Sequence, residues 1–280
     1  MTALDSAGSM PKVTIQGVNL AYEASGPADS TAPALVLVHG FPLDSRVWDG
    51  VSELTSKRWR TIRPDLRGFG QSRDATDTPF SIQSLAEDLH AMLRQLQALP
   101  AVVAGLSMGG YVALAFARLF PEDVAGLALV DTRASADDEA GRRKRDESAA
   151  LVEREGVAPL VDQMHPNLLA EVTKRDRPEV ARRLREIMLS CPAWAVRQAS
   201  LAMRDRPDQR DLLPRLEMPA AVIVGEEDKI TPPEVAREMA SALSAATLTE
   251  IAGAGHLAPM EQPAAVAEAL DRLMAQAASA

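Results

Sequence analysis

Ser107 stands at the centre of Gly105-Leu-Ser-Met-Gly109 in this 280-residue chain. A short apolar run, Ala101 to Ala104, precedes it, and Tyr111 to Phe120 follows with Ala, Leu and Phe at helical density and Pro121 just beyond. This context reads as strand, tight turn and helix with serine at the apex. Such a reversal crowds its apex; glycines, lacking a Cβ, relieve the crowding and leave the serine oxygen exposed. The helix N-terminus behind it favours developing negative charge. A serine is a weak nucleophile at its own pKa and needs a base within hydrogen-bond reach. Histidine titrates near neutrality and suits that task, and a carboxylate beyond it fixes the tautomer and steadies the imidazolium.

The chain has four histidines. His256 follows the last strand-like run inside the Gly-rich Ala252-Gly-Ala-Gly-His256 and is the expected base. His39 follows the apolar run Ala34–Val38 directly; His90, beside the apolar stripe of a helix, reads as a surface or boundary residue, and His165, in a helical region, could line a pocket but reads as structural. Asp228, after Ala221–Val224, is favoured as the acid, with Asp131, after Ala125–Val130, as the alternative and Glu226 and Glu227 as neighbours. The order is Ser…Asp…His.

The elements that must position these groups alternate. Val13–Ile15 and Asn19–Glu23 read as an edge hairpin around Gly17, and Ser25–Pro33 as a loop. The unbroken apolar run Ala34–Val38 suits a central strand covered on both faces. A helix is expected from Asp44 or Ser45 to about Lys57, a strand over Arg60–Arg63, and a helix capped by Ser81 with Ile82, Leu85, Leu89, Met92, Leu93 and Leu96 on one face. After the 132–213 region the pattern resumes with a helix near Pro233–Leu243, a strand over Thr247–Ile251 and a helix over Pro263–Ala275. This alternation predicts a mostly parallel sheet with helices on both faces, and ligands outside the carboxyl ends of its strands. Between Thr132 and about Leu213 charge is dense and no strand is visible; apolar residues recur at helical spacing, so several amphipathic helices are expected there. The basic run Arg142–Arg145 reads as a solvated helix face.

Composition bounds the partners. Thirty Lys and Arg against thirty-nine Asp and Glu give a net charge of −9, which argues against nucleic acid and anionic membranes. No apolar run approaches the ~18–20 residues of a membrane span. Met1 to Met10 reads as a loose tail without a secretory signal, so the simplest address is the cytoplasm. Cys191 is the single cysteine, which removes intrachain disulfides and cysteine-built metal sites; beside Pro192 and without a nearby His it reads as structural. No metal and no cofactor are expected.

Jointly, His39-Gly-Phe-Pro-Leu-Asp-Ser-Arg-Val-Trp48, Asp65-Leu-Arg-Gly-Phe-Gly-Gln-Ser72, Gly105-Leu-Ser-Met-Gly-Gly110, Val224-Gly-Glu-Glu-Asp228 and Gly253-Ala-Gly-His256 resemble the α/β-hydrolase superfamily over nearly the whole chain. Within it the sequence resembles the carboxylesterase, 3-oxoadipate enol-lactonase and bromoperoxidase-like group. Haloalkane dehalogenases and epoxide hydrolases carry Asp where this chain has Ser107. The resemblance implies an α/β fold with a central sheet of about eight strands. It implies Ser107 as nucleophile, Asp228 as acid, His256 as base, and an oxyanion hole of the Phe41 and Met108 backbone N–H groups. It makes His39 and the 65–72 loop fold support. It divides the chain into a core of residues 1–131 and 214–280 and a helical cap of residues 132–213.

The activity implied is hydrolysis of a small ester or lactone through an acyl-enzyme. Perhydrolysis on the same triad, or a non-catalytic small-ligand receptor on the same scaffold, are the alternatives. The apolar cap residues Met164, Leu168, Met188 and Trp194 are candidates for the substrate pocket and suggest a modest apolar acyl or alkyl group. At helical spacing the same residues would also serve as packing.

Overall fold

Ala34–Val38 shows how this chain layers itself. All five residues are buried, but on opposite sides: Val36 and Val38 belong to one apolar cluster with Leu85, Val112 and Phe116, whereas Leu35 and Leu37 belong to another with Val51, Val266 and Leu270. Successive strand side chains point to opposite faces, so an unbroken apolar run satisfies two helical layers at once. The computed structural model describes residues 9–27, 31–74 and 79–279. Most of the expected N-terminal tail, and residues 28–30 of the expected 25–33 loop, lie outside them.

Eight strands form one sheet among the described residues: β1 (Lys12–Ile15), β2 (Val18–Ser25), β3 (Ala34–Val38), β4 (Thr61–Pro64), β5 (Ala101–Leu106), β6 (Val124–Val130), β7 (Ala220–Gly225) and β8 (Ala246–Ile251). Their order is β1-β2-β4-β3-β5-β6-β7-β8, with β1 and β2 antiparallel and the rest parallel. The expected mostly parallel sheet is therefore present, and β5, which leads to Ser107, lies between β3 and β6 near its middle. Its register pairs Val38 with Gly105 and Leu106 with Val130, bringing the ends of β3, β5 and β6 level.

The helices of the two layers include α1 (Asp49–Thr55), α2 (Ile82–Gln95) and α3 (Met108–Leu119). Ser81 caps α2 in a reciprocal box: its hydroxyl accepts the Ser84 N–H and its own N–H donates to the Ser84 hydroxyl. The helix expected from Asp44 or Ser45 to Lys57 is divided. Asp44 caps a 3-10 turn, Ser45–Trp48, and α1 begins only at Asp49. The reason is local: the Ser45 N–H is drawn to Asp65 Oδ1 and the Val47 N–H bonds Asp44 three residues back, so the first turn is tight.

Between β6 and β7 lie α4 (Glu139–Glu155), α5 (Val157–Met164), α6 (Glu171–Asp176), α7 (Pro178–Leu189) and α8 (Ala193–Arg204), and no strand among the described residues. Asp138 caps α4 by accepting the Gly141 N–H at 2.7 Å. The basic run on α4 sits on its solvated side, Arg145 paired with Asp137 and Arg143 with Glu139. α9 (Pro233–Ala242), α10 (Ala258–Glu261) and α11 (Pro263–Ala277) complete the chain; α10, a single turn directly after His256, is an element the apolar periodicity did not reveal. Among the described residues no helix is long and apolar enough to cross a membrane.

Candidate active site

The elbow is built by exclusion of side chains. A Cβ on Gly105 would fall on the Gly109 carbonyl, and one on Gly109 would fall on the Val38 carbonyl. The strand end, the turn and β3 can approach this closely only with glycine at both positions. The helix was expected from Tyr111 because glycines read as turn; with no Cβ to clash, Gly109 and Gly110 instead belong to the first turn of α3, which starts immediately after the serine. Ser107 is left at φ 52°, ψ −113°, a conformation a non-glycine residue adopts only under constraint. Its N–H donates to Val130 O at 2.9 Å, and its carbonyl accepts the Gly110 N–H and the Thr132 hydroxyl.

Ser107 Oγ lies 2.9 Å from His256 Nε2, and His256 Nδ1 lies 2.8 Å from Asp228 Oδ2. A carboxylate accepts only, so Nδ1 carries the proton and Nε2 is free to accept from the serine hydroxyl. His256 and Asp228 are buried, whereas Ser107 is partly exposed at the apex. The three side chains singled out in the sequence therefore meet in one hydrogen-bonded line, from the ends of β5, β7 and β8.

Asp228 is held in a cradle of donors. Oδ1 accepts the Ile230 and Thr231 N–H groups at 2.7 and 3.0 Å, and Oδ2 accepts the Thr231 hydroxyl at 2.6 Å as well as the imidazole. Burial pushes the carboxyl pKa up, but His256 and the Thr231 bonds outweigh it and hold the group below the ordinary carboxylate range. Asp131 is fully buried and differently employed. Its two oxygens accept the N–H groups of Gly225 and Ala258, tying the end of β6 to the end of β7 and the start of α10. Burial and then the neighbouring Asp228 charge push its pKa well up. The hydrogen bond to the imidazole is made by Asp228.

Met108 is the first residue of α3, so its N–H is one of the four that a helix leaves without an internal partner. The Phe41 N–H forms no hydrogen bond among the described residues, in the loop whose Gly40 packs against Ser107 Cβ. Both expected oxyanion donors are thus unspent.

His39 is buried between the Gly40 carbonyl, to which Nδ1 donates at 2.8 Å, and the Leu66 N–H, which donates to Nε2 at 3.0 Å. Both nitrogens are engaged only by a neutral ring, and burial lowers the pKa against the pull of Asp65. A folded state that binds this proton less readily than the unfolded chain loses stability as pH falls below the ordinary histidine value, ~6.5. From pH 7.5 to 5.5 this residue should cost the fold up to about 1.4 kcal/mol, measured as a steeper pH dependence of urea unfolding in wild type than in His39→Gln.

His90 stacks on Phe120 and bonds Asp123; His165 Nε2 meets the Ala181 carbonyl; both are remote from the elbow in their contacts. Cys191 is buried and its thiol is pushed far above the ordinary range, chiefly by burial, so it is no nucleophile near neutrality. Of the four apolar candidates, Leu168 and Met188 are in the apolar interior, Met164 is half-buried at the join of the two clusters, and the Trp194 ring lies over Gly68. Leu168 touches the site through its backbone: its carbonyl accepts the His256 N–H at 2.9 Å.

Two participants were not legible in advance. Thr231, three residues past Asp228, is one. Glu261 is the other: fully buried, it accepts the Gly255 N–H at 2.7 Å, the Ala170 N–H at 2.8 Å and a bond from Thr173. It fastens the histidine loop to the 168–173 segment of the helical insertion. An acidic residue closing the apolar run 257–260 was its only signal. Glu261→Ala would leave these donors, and the Leu257 N–H that also bonds the carboxylate, without acceptors, a cost of about 3 kcal/mol or more. Urea unfolding should show that loss, with Glu261→Gln, which keeps one acceptor oxygen, losing less.

The sequence matches the family described as alpha/beta hydrolase fold over residues 33–263. A 3-oxoadipate enol-lactonase of Acinetobacter baylyi is 27% identical, covering 94% of this chain and 95% of the relative. A solved thermophilic esterase from Thermogutta terrifontis is 39% identical, with 96% and 98% of the two chains covered and a TM-score of 0.88. An enol-lactonase from Burkholderia xenovorans is 26% identical, with 95% and 100% covered and a TM-score of 0.87. Both structures share the layered sheet described above.

Proposed function

The chain belongs to the α/β-hydrolase fold family, and from that premise we propose that it is a serine hydrolase cleaving carboxylic esters or lactones of small, fairly apolar substrates. The observation that carries the reading is the unbroken line Ser107 Oγ–His256 Nε2–Nδ1–Asp228 Oδ2, at 2.9 and 2.8 Å, on a strained elbow. The kinship with an esterase and with enol-lactonases supports the same bond class.

In the proposed reaction Ser107 Oγ attacks the carbonyl carbon as its proton passes to His256 Nε2. Asp228 keeps the imidazolium oriented and stabilised. The tetrahedral oxyanion is received by the Phe41 and Met108 N–H groups, which need no reorganisation; losing one such donor typically costs ~2.7–4 kcal/mol. The imidazolium then protonates the leaving alkoxide, the C–O bond breaks and an acyl-serine remains. Water, deprotonated by His256, attacks that ester, and Ser107 regains its proton as the acid leaves.

Residues 132–213 act in this reading as a cap on a core of residues 1–131 and 214–280, with the Met164–Ala170 stretch roofing the site. Its support is the backbone bond from His256 to Leu168 and the Glu261 fastening. The test is a series of p-nitrophenyl esters of two to twelve acyl carbons together with five- and six-membered lactones. Saturable turnover with kcat/KM highest among the short acyl chains is expected. Binding of such compounds without turnover of any of them would replace this reading with that of a receptor.

A further inference from the structure

A partly open cavity lies along α3, one turn and more beyond Ser107. It offers about 60 Å³, room for a few waters or one small molecule. Its polar wall is Tyr111, Arg118, Arg133, Arg206 and Gln209, and its apolar wall is Ile82, Leu114 and Leu119. None of Ser107, His256, Phe41 and Met108 lines it, and neither does any carboxylate among the described residues.

The polar wall is unevenly satisfied. Arg206 is buried, paired with Asp137, and its guanidinium lies 4.0 Å from the centre of the Tyr111 ring. Arg118 reaches out to Asp211 and to the Gln209 side-chain oxygen. Arg133 has no acid partner among the described residues. Within those residues it bonds the Ile230 carbonyl alone, and its Nε is buried without a partner. The Tyr111 hydroxyl and the Gln209 side-chain NH₂ form no hydrogen bond among the described residues either, and both stay in contact with solvent.

A buried donor without an acceptor costs about 1–3 kcal/mol, and more beside a charge. One such donor, Arg133 Nε, beside an unpaired guanidinium and two solvent-facing donors on the same wall, points to one kind of ligand: an anionic oxygen. The apolar wall and the volume suit a short chain rather than a polyanion. We propose that this cavity is a binding site for a small monocarboxylate, with its carboxylate on Arg133, Tyr111 and Gln209 and its alkyl chain against Ile82, Leu114 and Leu119.

The test is calorimetric titration with butyrate, and with butyramide as its neutral isostere. Wild type should bind butyrate saturably and butyramide about tenfold more weakly or worse. Arg133→Met should weaken butyrate by about tenfold or more, and Tyr111→Phe, which keeps the ring and removes only the hydroxyl, by about threefold. Both variants are first matched to wild type in circular dichroism. Butyrate is also a product of ester cleavage, so the titration is repeated after Ser107 has been phosphonylated, and binding should persist. The proposal fails if wild type takes up no butyrate, if butyramide binds as well, if both variants bind like wild type, or if phosphonylation abolishes binding. The comparison of wild type with the two variants needs no reactivity at Ser107, so it stands even if the proposed hydrolase activity does not.

Discussion

Asp228→Asn should lower kcat on a short-chain ester by about 10⁴-fold, while Asp131→Asn leaves kcat within about tenfold of wild type and lowers stability. The two acids are both buried and both follow strands, so the difference rests on what each one holds. Asp228 Oδ2 accepts the Nδ1 proton of His256. An amide there offers either an NH₂ that forces the wrong tautomer or an oxygen without charge to stabilise the imidazolium. Asp131 accepts two backbone N–H groups, from Gly225 and Ala258, and has no part in that relay. Replacing one of its oxygens with NH₂ sets a donor against a buried donor, a cost of about 1–3 kcal/mol seen in unfolding and not in turnover. A large loss of kcat at 131 with none at 228 would reverse the assignment.

Ser107→Ala should be the more severe change, lowering kcat by about 10⁵–10⁶-fold. Histidine and acid are useless without the oxygen they activate, and what remains is the smaller benefit of bound substrate and oxyanion donors. The same substitution should leave the fold intact. Ser107 holds its neighbours through its N–H and carbonyl, to Val130, Gly110 and Thr132, and those groups persist in alanine. The left-handed backbone at φ 52° is no harder for alanine than for serine. An inactive protein with wild-type unfolding is therefore the expected outcome, read from esterase assays and urea melts on the same preparation.

The features readable from sequence were those whose cause is local. The elbow needs glycines at 105 and 109 within a few residues of the serine, and the buried strands announce themselves as unbroken apolar runs such as Ala34–Val38. His256 stood out because only four histidines compete for the role. The choice between Asp228 and Asp131 turned on the conformation of the 228–231 loop, whose N–H groups and Thr231 hydroxyl turn one carboxylate toward the imidazole. No residue count expresses that. Glu261 was hidden for a different reason: Gly255 sits 6 residues away, but Ala170, 91 residues away, and Thr173 are both in the helical insertion. The same limit applied to Met164, Leu168, Met188 and Trp194. Helical spacing marks them as inward-facing, yet what each faces depends on how the insertion lies on the sheet. There Leu168 meets His256 through its carbonyl, and Trp194 lies over Gly68 instead.

The central claim is that Ser107 is a nucleophile activated by His256. Intact-mass analysis after exposure to a fluorophosphonate tests it most directly, because the reagent reads out activated serine without any knowledge of the substrate. Wild type should gain one adduct, mapped by peptide sequencing to Ser107, and Ser107→Ala should gain none. An unlabelled wild type, or a Ser107→Ala variant labelled as strongly as wild type, would contradict the account.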